Sequence, residues 1–204
     1  MEKPITYFEK PGKENTEELI KLIKERLKGS KIKYVAIASA SGETALKLSK
    51  ELGDVTIVNT THHAGFKEKN ELDISDEMRN KLEKEGIITC VGSHALSGVG
   101  RGISNKFGGV TPVEIIAETL RMFSQGIKVC VEITIMLADA GLIPVDEEIL
   151  AVGGRAHGID SAAIITPANM TKVFDMRIHE IIAMPRPWIA NNNNNNSYLE
   201  DNNY

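Results

Sequence analysis

This chain of 204 residues lacks most of the features that would fix a function at sight. It has only two cysteines, too few for a disulfide framework. Cys90 and Cys130 each stand alone in an apolar stretch, Ile-Ile-Thr-Cys-Val and Lys-Val-Cys-Val-Glu. They read as buried free thiols of a cytoplasmic protein rather than as a disulfide or metal ligands. No apolar run approaches the ~20 residues that span a bilayer, so no membrane segment is expected. The polar start Met1-Glu-Lys-Pro4 does not have the character of a signal peptide. Positive charge is not in surplus. A net charge of −4 gives no electrostatic reason to expect nucleic acid or an anionic membrane surface. The GxxxxGK[ST] spacing of a P-loop is absent. No Ser-His-Asp, Cys-His or paired-carboxylate pattern stands out, so no catalytic residue is assigned. No metal site is expected either, because His62 and His63 are adjacent and their side chains diverge.

What remains is an ordinary globular composition, 42% apolar and 25% charged, with ample material for one buried core. Strand and helix patterns alternate nearly throughout residues 1–190, which predicts a single α/β domain with a mainly parallel sheet. Residues 191–204 change abruptly to an asparagine run and a polar acidic end with nothing to bury, and are expected to be a disordered tail. Strands are expected at residues 5–8, 34–38, 55–58, 87–91, 128–131, 149–152, 162–166 and 176–184. Asn15 with Glu18 has capping-box spacing before the apolar stripe Leu19, Ile20, Leu22, Ile23 and Leu27. Ser75 caps a helix carrying Met78 and Leu82. Thr111-Pro112-Val-Glu114 is a second capping box, whose helix is expected to run to Gly126. A short helix through Met136 and Leu137 comes after the strand at 128–131. Residues 93–110 carry too many glycines for a stable solvent-facing helix and are expected to be a long functional loop.

The most informative stretch is Tyr34-Val-Ala-Ile-Ala-Ser39-Ala-Ser41-Gly42-Glu43-Thr44, a core strand running through a hydroxyl-rich turn into a helix. The first N–H groups of a helix lack internal partners, and the macrodipole there favours negative charge. Ser39, Ser41 and Thr44 add hydroxyls, and Gly42 lets an anion approach the backbone. The segment therefore reads either as a phosphate cradle or as an ordinary turn with Ser41 as a cap.

Ligands of open parallel sheets bind beyond the carboxyl ends of the strands. The residues just past most of the expected strands suit a phosphorylated ligand there. Pro11-Gly12 and Asn15-Thr16 lie after the first, and Thr60, Thr61, His62, His63, Gly65 and Phe66 after the third. Ser93 and His94, with Arg101 close behind, lie after the fourth. Gly153-Gly154, Arg155, His157 and Asp160 come later. Each has a plain alternative: a surface turn for the histidines, a loop-bonding role for His94, a solvated charge for Arg101, a tight turn for the glycine pair. Glu132 and Asp139 read equally as partners of Arg101 or Arg155 and as acid–base groups.

Together these segments resemble the stand-alone relatives of the pyruvate kinase carboxy-terminal (α/β) domain, found mainly in archaea. The resemblance covers nearly all of residues 5–186. Its motifs are Phe8-Glu-Lys-Pro11-Gly12, Ser41-Gly42-Glu43-Thr44-Ala45, His63-Ala-Gly65-Phe66, Ser93-His94-Ala-Leu-Ser97-Gly98, Val131-Glu132-Ile-Thr, Ala138-Asp139-Ala-Gly141 and Gly153-Gly154 through Asp160-Ser161-Ala162. It implies a three-layer α/β/α sandwich and associates the family with flavin mononucleotide (FMN). In the parent enzyme the equivalent domain is a non-catalytic regulatory module that holds a sugar phosphate at a Ser/Thr-rich turn. The expected ligand is therefore FMN, with a redox role if its ring meets a second substrate; the alternative is a phosphometabolite-sensing module. The phosphate would rest on Ser39, Ser41, Gly42, Glu43 and Thr44. The rest of the ligand would lie across Thr61, His62, His94 and Gly153-Gly154, with Arg101 in reach of the phosphate. A homo-oligomer is compatible with this reading.

Overall fold

The computed structural model describes residues 2–155 and 157–186; the expected tail at 191–204 lies outside them. Seven strands form one sheet: β1 (Thr6–Phe8), β2 (Tyr34–Ala38), β3 (Thr56–His62), β4 (Ile88–Gly92), β5 (Ile149–Gly153), β6 (Ser161–Thr166) and β7 (Arg177–Pro185). Their order is β1-β7-β6-β5-β2-β3-β4. Only β6 runs against the rest; it is antiparallel to β5 and to β7, while every other pair is parallel.

Side chains alternate between the two sheet faces, and each face has its own helices. Val35 and Ile37 of β2, with Leu150 and Val152 of β5, pack under α1 (Thr16–Leu27), α2 (Glu43–Glu51) and α3 (Asp76–Lys84) through Leu19, Ile23, Leu48 and Leu82. On the opposite face, Ala36, Val58, Ala151 and Ile165 meet Ala117 of α5 (Pro112–Arg121) and Ile127, Ile135 and Leu137 of α6 (Gln125–Asp139). This is the expected α/β/α sandwich. A further helix, α4 (Gly98–Phe107), packs beside α5.

Several local expectations are corrected. Residues 128–131 are not a strand but part of α6. Val129, Val131, Ile133 and Ile135 alternate as strand residues do, yet α6 is wedged between the sheet and α5 and is buried on nearly all sides, so burial overrides β propensity. Glycine-rich residues 98–107 form α4 rather than a loop. α5 stops at Arg121 instead of Gly126, because Ser124 opens α6 by accepting a hydrogen bond from the Ile127 N–H at 3.0 Å. Asn15 stands at the start of α1 but its side chain donates to the Lys10 carbonyl at 2.8 Å instead of capping the helix. The Thr111–Glu114 capping box forms as expected, and the Thr111 N–H and hydroxyl with the Ser104 hydroxyl hold the Glu114 carboxyl down to about 2. Cys130 is fully buried on α6 and Cys90 is only half-buried on β4; both are free. Among the described residues no helix is long and apolar enough to cross a membrane.

Candidate functional site

The connections β2–α2–β3 and β3–α3–β4 lie on one face, whereas the chain from β4 to β5 crosses the other through α4, α5 and α6. β2 therefore has β3 on one side and β5 on the other, and the direction of winding reverses between β2 and β5. A crevice at the carboxyl ends of the strands is expected where winding reverses in this way. The Ser39–Thr44 turn leaves β2 on one bank, and Gly153-Gly154 ends β5 on the other.

The turn is held rigidly by β3. The Ser39 N–H donates to the Thr60 carbonyl at 3.1 Å, the Thr61 hydroxyl to the Ala40 carbonyl at 2.7 Å, and the Asn59 amide to the Ser39 carbonyl at 3.2 Å. Gly42 is the N-cap of α2 with φ 84°, and its own N–H donates back to the Ser39 carbonyl at 3.1 Å. Beside the expected reason for glycine here, room for an anion, stands a packing reason. A Cβ would lie 2.8 Å from the Met78 side chain and 2.9 Å from that of Leu82, so glycine lets α2 seat on α3. The next N–H groups, of Glu43, Thr44 and Ala45, begin α2 and lack intrahelical acceptors by helix geometry. Ser41 and Glu43 are exposed and Thr44 half-buried at this end. The exposed Glu43 carboxylate already complements the helix dipole, so an incoming anion meets it as a competitor.

On the opposite bank, Gly153 approaches α6 so closely that a Cβ would lie 2.7 Å from the Gly126 carbonyl, and the Gly153 carbonyl accepts from the Asp160 N–H at 3.0 Å. A Cβ on Gly154 would lie 2.6 Å from the Gly158 carbonyl. Asp160 is buried, which raises its carboxyl; the Ser161 hydroxyl at 2.8 Å and the Gly12 N–H at 3.1 Å act the other way. The Asp160–Gly12 bond ties the loop after β1 to this bank.

Beyond β3 and β4 the side chains gather into a ring cluster. His62 lies 3.8 Å from Phe66 between centroids and 5.3 Å from His94; Phe66 lies 5.1 Å from His94, and His63 6.0 Å from His94. His62 Nδ1 bonds the Asp73 carboxylate at 2.6 Å, just before α3, and Lys67 reaches the same carboxylate at 3.3 Å. Burial alone would raise Asp73, but the bonds from His62 and Lys67 outweigh it and its pKa falls below the usual value. Burial pushes His94 down to about 4, against the opposing pull of Glu132, so the ring is neutral at physiological pH.

Behind His94 stands a buried ion pair on α6, Lys128 with Glu132, and Glu132 also accepts from the Leu96 N–H at 2.9 Å. Glu132 thus has a cation four residues away on its own helix. Asp139 instead accepts from Asn169 and the Met170 N–H, both at 3.0 Å. Arg101 is carried by α4, half-buried, where its charge acts on Glu114 and Lys128. No group of three metal-binding side chains occurs among the described residues. A groove of about 700 Å³ between α3 and the β4 edge, near Arg79, Glu83 and Ile88, is lined by none of the expected site residues.

The pyruvate kinase alpha/beta domain family matches residues 17–173, more than three quarters of the chain. The chain belongs to this family. Among solved structures it resembles a Cryptosporidium parvum pyruvate kinase in complex with ADP, at 16% identity and a TM-score of 0.36, over 82% of this chain. It spans 23% of that enzyme's length.

Two residues of this family member carry no motif signal in the sequence. Asn59 is fully buried in a strand of β-branched neighbours, where asparagine is disfavoured, and that misfit was its available signal. Its Oδ1 has no partner among the described residues, nor has the buried Thr60 hydroxyl. Asp73 gave no local signal, because only the closed loop from Gly65 to Glu71 brings it to His62.

Proposed function

We propose that this α/β-domain protein binds a phosphorylated small molecule at the carboxyl edge of its sheet, and that the ligand is FMN. The phosphate would sit at the first turn of α2, on the N–H groups of Glu43, Thr44 and Ala45 and the hydroxyls of Ser41 and Thr44. The ring would lie against His62, Phe66 and His94. The observation that carries this reading is the cluster of four rings just past Thr61, the residue that pins the Ser39–Thr44 turn. Rings at these separations offer stacking surface to a flat heterocycle, and an uncharged His94 desolvates at less cost than a cation. Bound flavin would supply redox chemistry. The chain's own part would be to orient it, His62 offering Nε2 because Asp73 holds Nδ1.

The test compares FMN with riboflavin by titration. The two share ring and ribityl contacts, so their difference isolates the phosphate. Charge-assisted hydrogen bonds contribute about 1.5–3 kcal/mol each and several to one phosphate do not add fully, so a total of about 3–4 kcal/mol, or a few hundred-fold, is expected. Ser41→Ala and Thr44→Ala should narrow the gap by weakening FMN and sparing riboflavin. Equal affinity for both ligands would remove the phosphate from α2.

A second reading rests on the crevice without the rings. The α2 turn and the Gly153-Gly154 bank face each other across the reversal of winding, which suits a sugar phosphate sensed without chemistry. A colourless protein stabilised by sugar phosphates, with no affinity for either flavin, would favour it.

A further inference from the structure

α4 is a helix that its own residues do not sustain. Gly98, Gly100 and Gly102 supply three of its ten positions, each less favourable than alanine by ~0.8–1 kcal/mol inside a helix. Ten residues fall short of the ~12–15 at which isolated helices persist in water. Burial compensates little, since no residue of α4 is fully buried and only Gly100, Arg101 and Ser104 are partly so. Its outward stripe is apolar all the same. Val99, Ile103 and Phe107 recur at i, i+4 and i+8, and Val110 leads on to Ile115 and Met122 at α5. These six side chains are between 47% and 81% exposed. Together they present roughly 800 Å², above the ~300–600 Å² patch of an ordinary monomer and close to one partner's share of a standard interface, ~800 Å².

We propose that the α4–α5 hairpin is a two-fold interface between two copies of this chain, α4 of each copy lying on α5 of the other. Charge selects a second copy as the occupant. α4 carries Arg101 and Lys106 and no acidic residue, whereas α5 carries Glu114, Glu118 and a single cation, Arg121, which bonds Glu118. Exposed Lys106 borders the apolar stripe beside Phe107, its Nζ 5.4 Å from that ring, and Glu118 lies between Ile115 and Met122 on the outer side of α5. Crossing α4 over the partner's α5 would bring Lys106 to Glu118, whose exposed carboxylate already bonds Arg121 and would take Lys106 as a second cation, and a two-fold axis makes the contact twice. Within each copy the hairpin is already fixed, by the Ser104–Glu114 hydrogen bond at 2.8 Å and by Gly100, which lets α4 approach Thr111 and Val113. The surface is thus presented as a preformed unit, and covering it supplies the burial that α4 lacks.

Sedimentation equilibrium of the full chain at micromolar concentrations tests this. The wild type should be dimeric. The double variant Ile103→Glu with Met122→Glu should sediment as a monomer, at least ~100-fold weaker in association, with cooperative unfolding retained. Should that variant fail to fold, exposed charges decide instead: Lys106→Glu and Glu118→Lys should each weaken the dimer ~10-fold, and combining them should restore most of the loss. A wild type that stays monomeric at every concentration overturns the proposal, because another occupant would then cover the stripe. So does a dimer indifferent to all four substitutions, which would be held by another surface such as the β4 edge.

Discussion

α4 and α6 lie in the same connection from β4 to β5 and are opposites. α6 buries twelve of its fifteen residues and α4 buries none of its ten. Both defeat periodicity, for opposite reasons. α6 is enclosed by the sheet and α5, so it needs no polar face and shows no 3.6-residue pattern. α4 has so many glycines that propensity speaks against a helix at all, although its apolar residues do recur with helical spacing. The contrast teaches that what covers a helix decides its existence more than its own composition does. It also makes the two helices respond oppositely to substitution.

The largest effect is expected on α6. Lys128 and Glu132 are an enclosed pair, their side chains 5% and 2% exposed. Glu132→Ala strands the Lys128 charge and the Leu96 N–H together, and should cost about 3–5 kcal/mol in urea unfolding. Lys128→Met with Glu132→Leu removes both charges and should recover all but the roughly 1–3 kcal/mol of an unpaired Leu96 N–H. The α4 counterpart, Asn105→Ala at an exposed position, should stay within about 0.5 kcal/mol. An equally small cost for Glu132→Ala would mean that water reaches the pair and that α6 is no more enclosed than α4.

The same enclosure sets a pH dependence. His94 faces Glu132, Lys128, His62 and His63, and burial holds it at about 4, against about 6.5 when unfolded. Between those values the unfolded chain binds more protons than the folded one. Stability is therefore whole above pH 6.5 and falls as pH drops through about 4, by no more than about 3 kcal/mol. Asp73, Glu114 and Glu180, whose pKa values are lowered, lose their contributions mainly at lower pH, and the raised Asp160 carboxyl acts in the opposite sense, so the His94 part is read as a difference between two proteins. His94→Gln should flatten the stability profile between pH 6.5 and 4. An unchanged slope would place the imidazole in contact with water.

The division between local and distant causes also governs what could be read beforehand. β2 and the Thr111 and Ser75 caps are set by neighbours within a few residues, and the structure has them as expected. The Ser39–Thr44 turn was visible as a strand-to-helix junction, but its anchors on β3, Asn59 and Thr61, depend on pairing across the sheet. Gly42 was legible as a glycine with a purpose; that it also lets α2 seat against Met78 and Leu82 required α3 to be in place. His62 and His94 were visible as side chains near one edge. Their ring contacts and the Asp73 bond depend on the path of the 65–71 loop, which no periodicity encodes. Glu132 read equally as a partner of Arg101 or Arg155 and as an acid–base group, and residues 128–131 read as a strand. Once they form a helix, Lys128 stands one turn away.

The smallest effects distinguish the glycines of α4 from one another. Gly100 faces α5: a Cβ would lie 2.7 Å from Val113 Cγ2 and 2.8 Å from the Thr111 hydroxyl oxygen. Gly100→Ala should push the hairpin apart and cost about 1–3 kcal/mol, as overpacking does. Gly102 is clear of any obstruction, with nothing within 4 Å of a Cβ and no positive φ. There alanine only removes backbone freedom from the unfolded chain, so Gly102→Ala should stabilise α4 by about 0.5–1 kcal/mol. Because α4 buries none of its residues, it is expected to open locally before the sheet does, and the gain should be read in its own amides. Hydrogen exchange across residues 98–107 should slow by roughly two- to five-fold, with α6 unchanged. Exchange that accelerates instead would show that α4 requires the freedom of glycine at Gly102, and that its helical form is held by the covering surface alone.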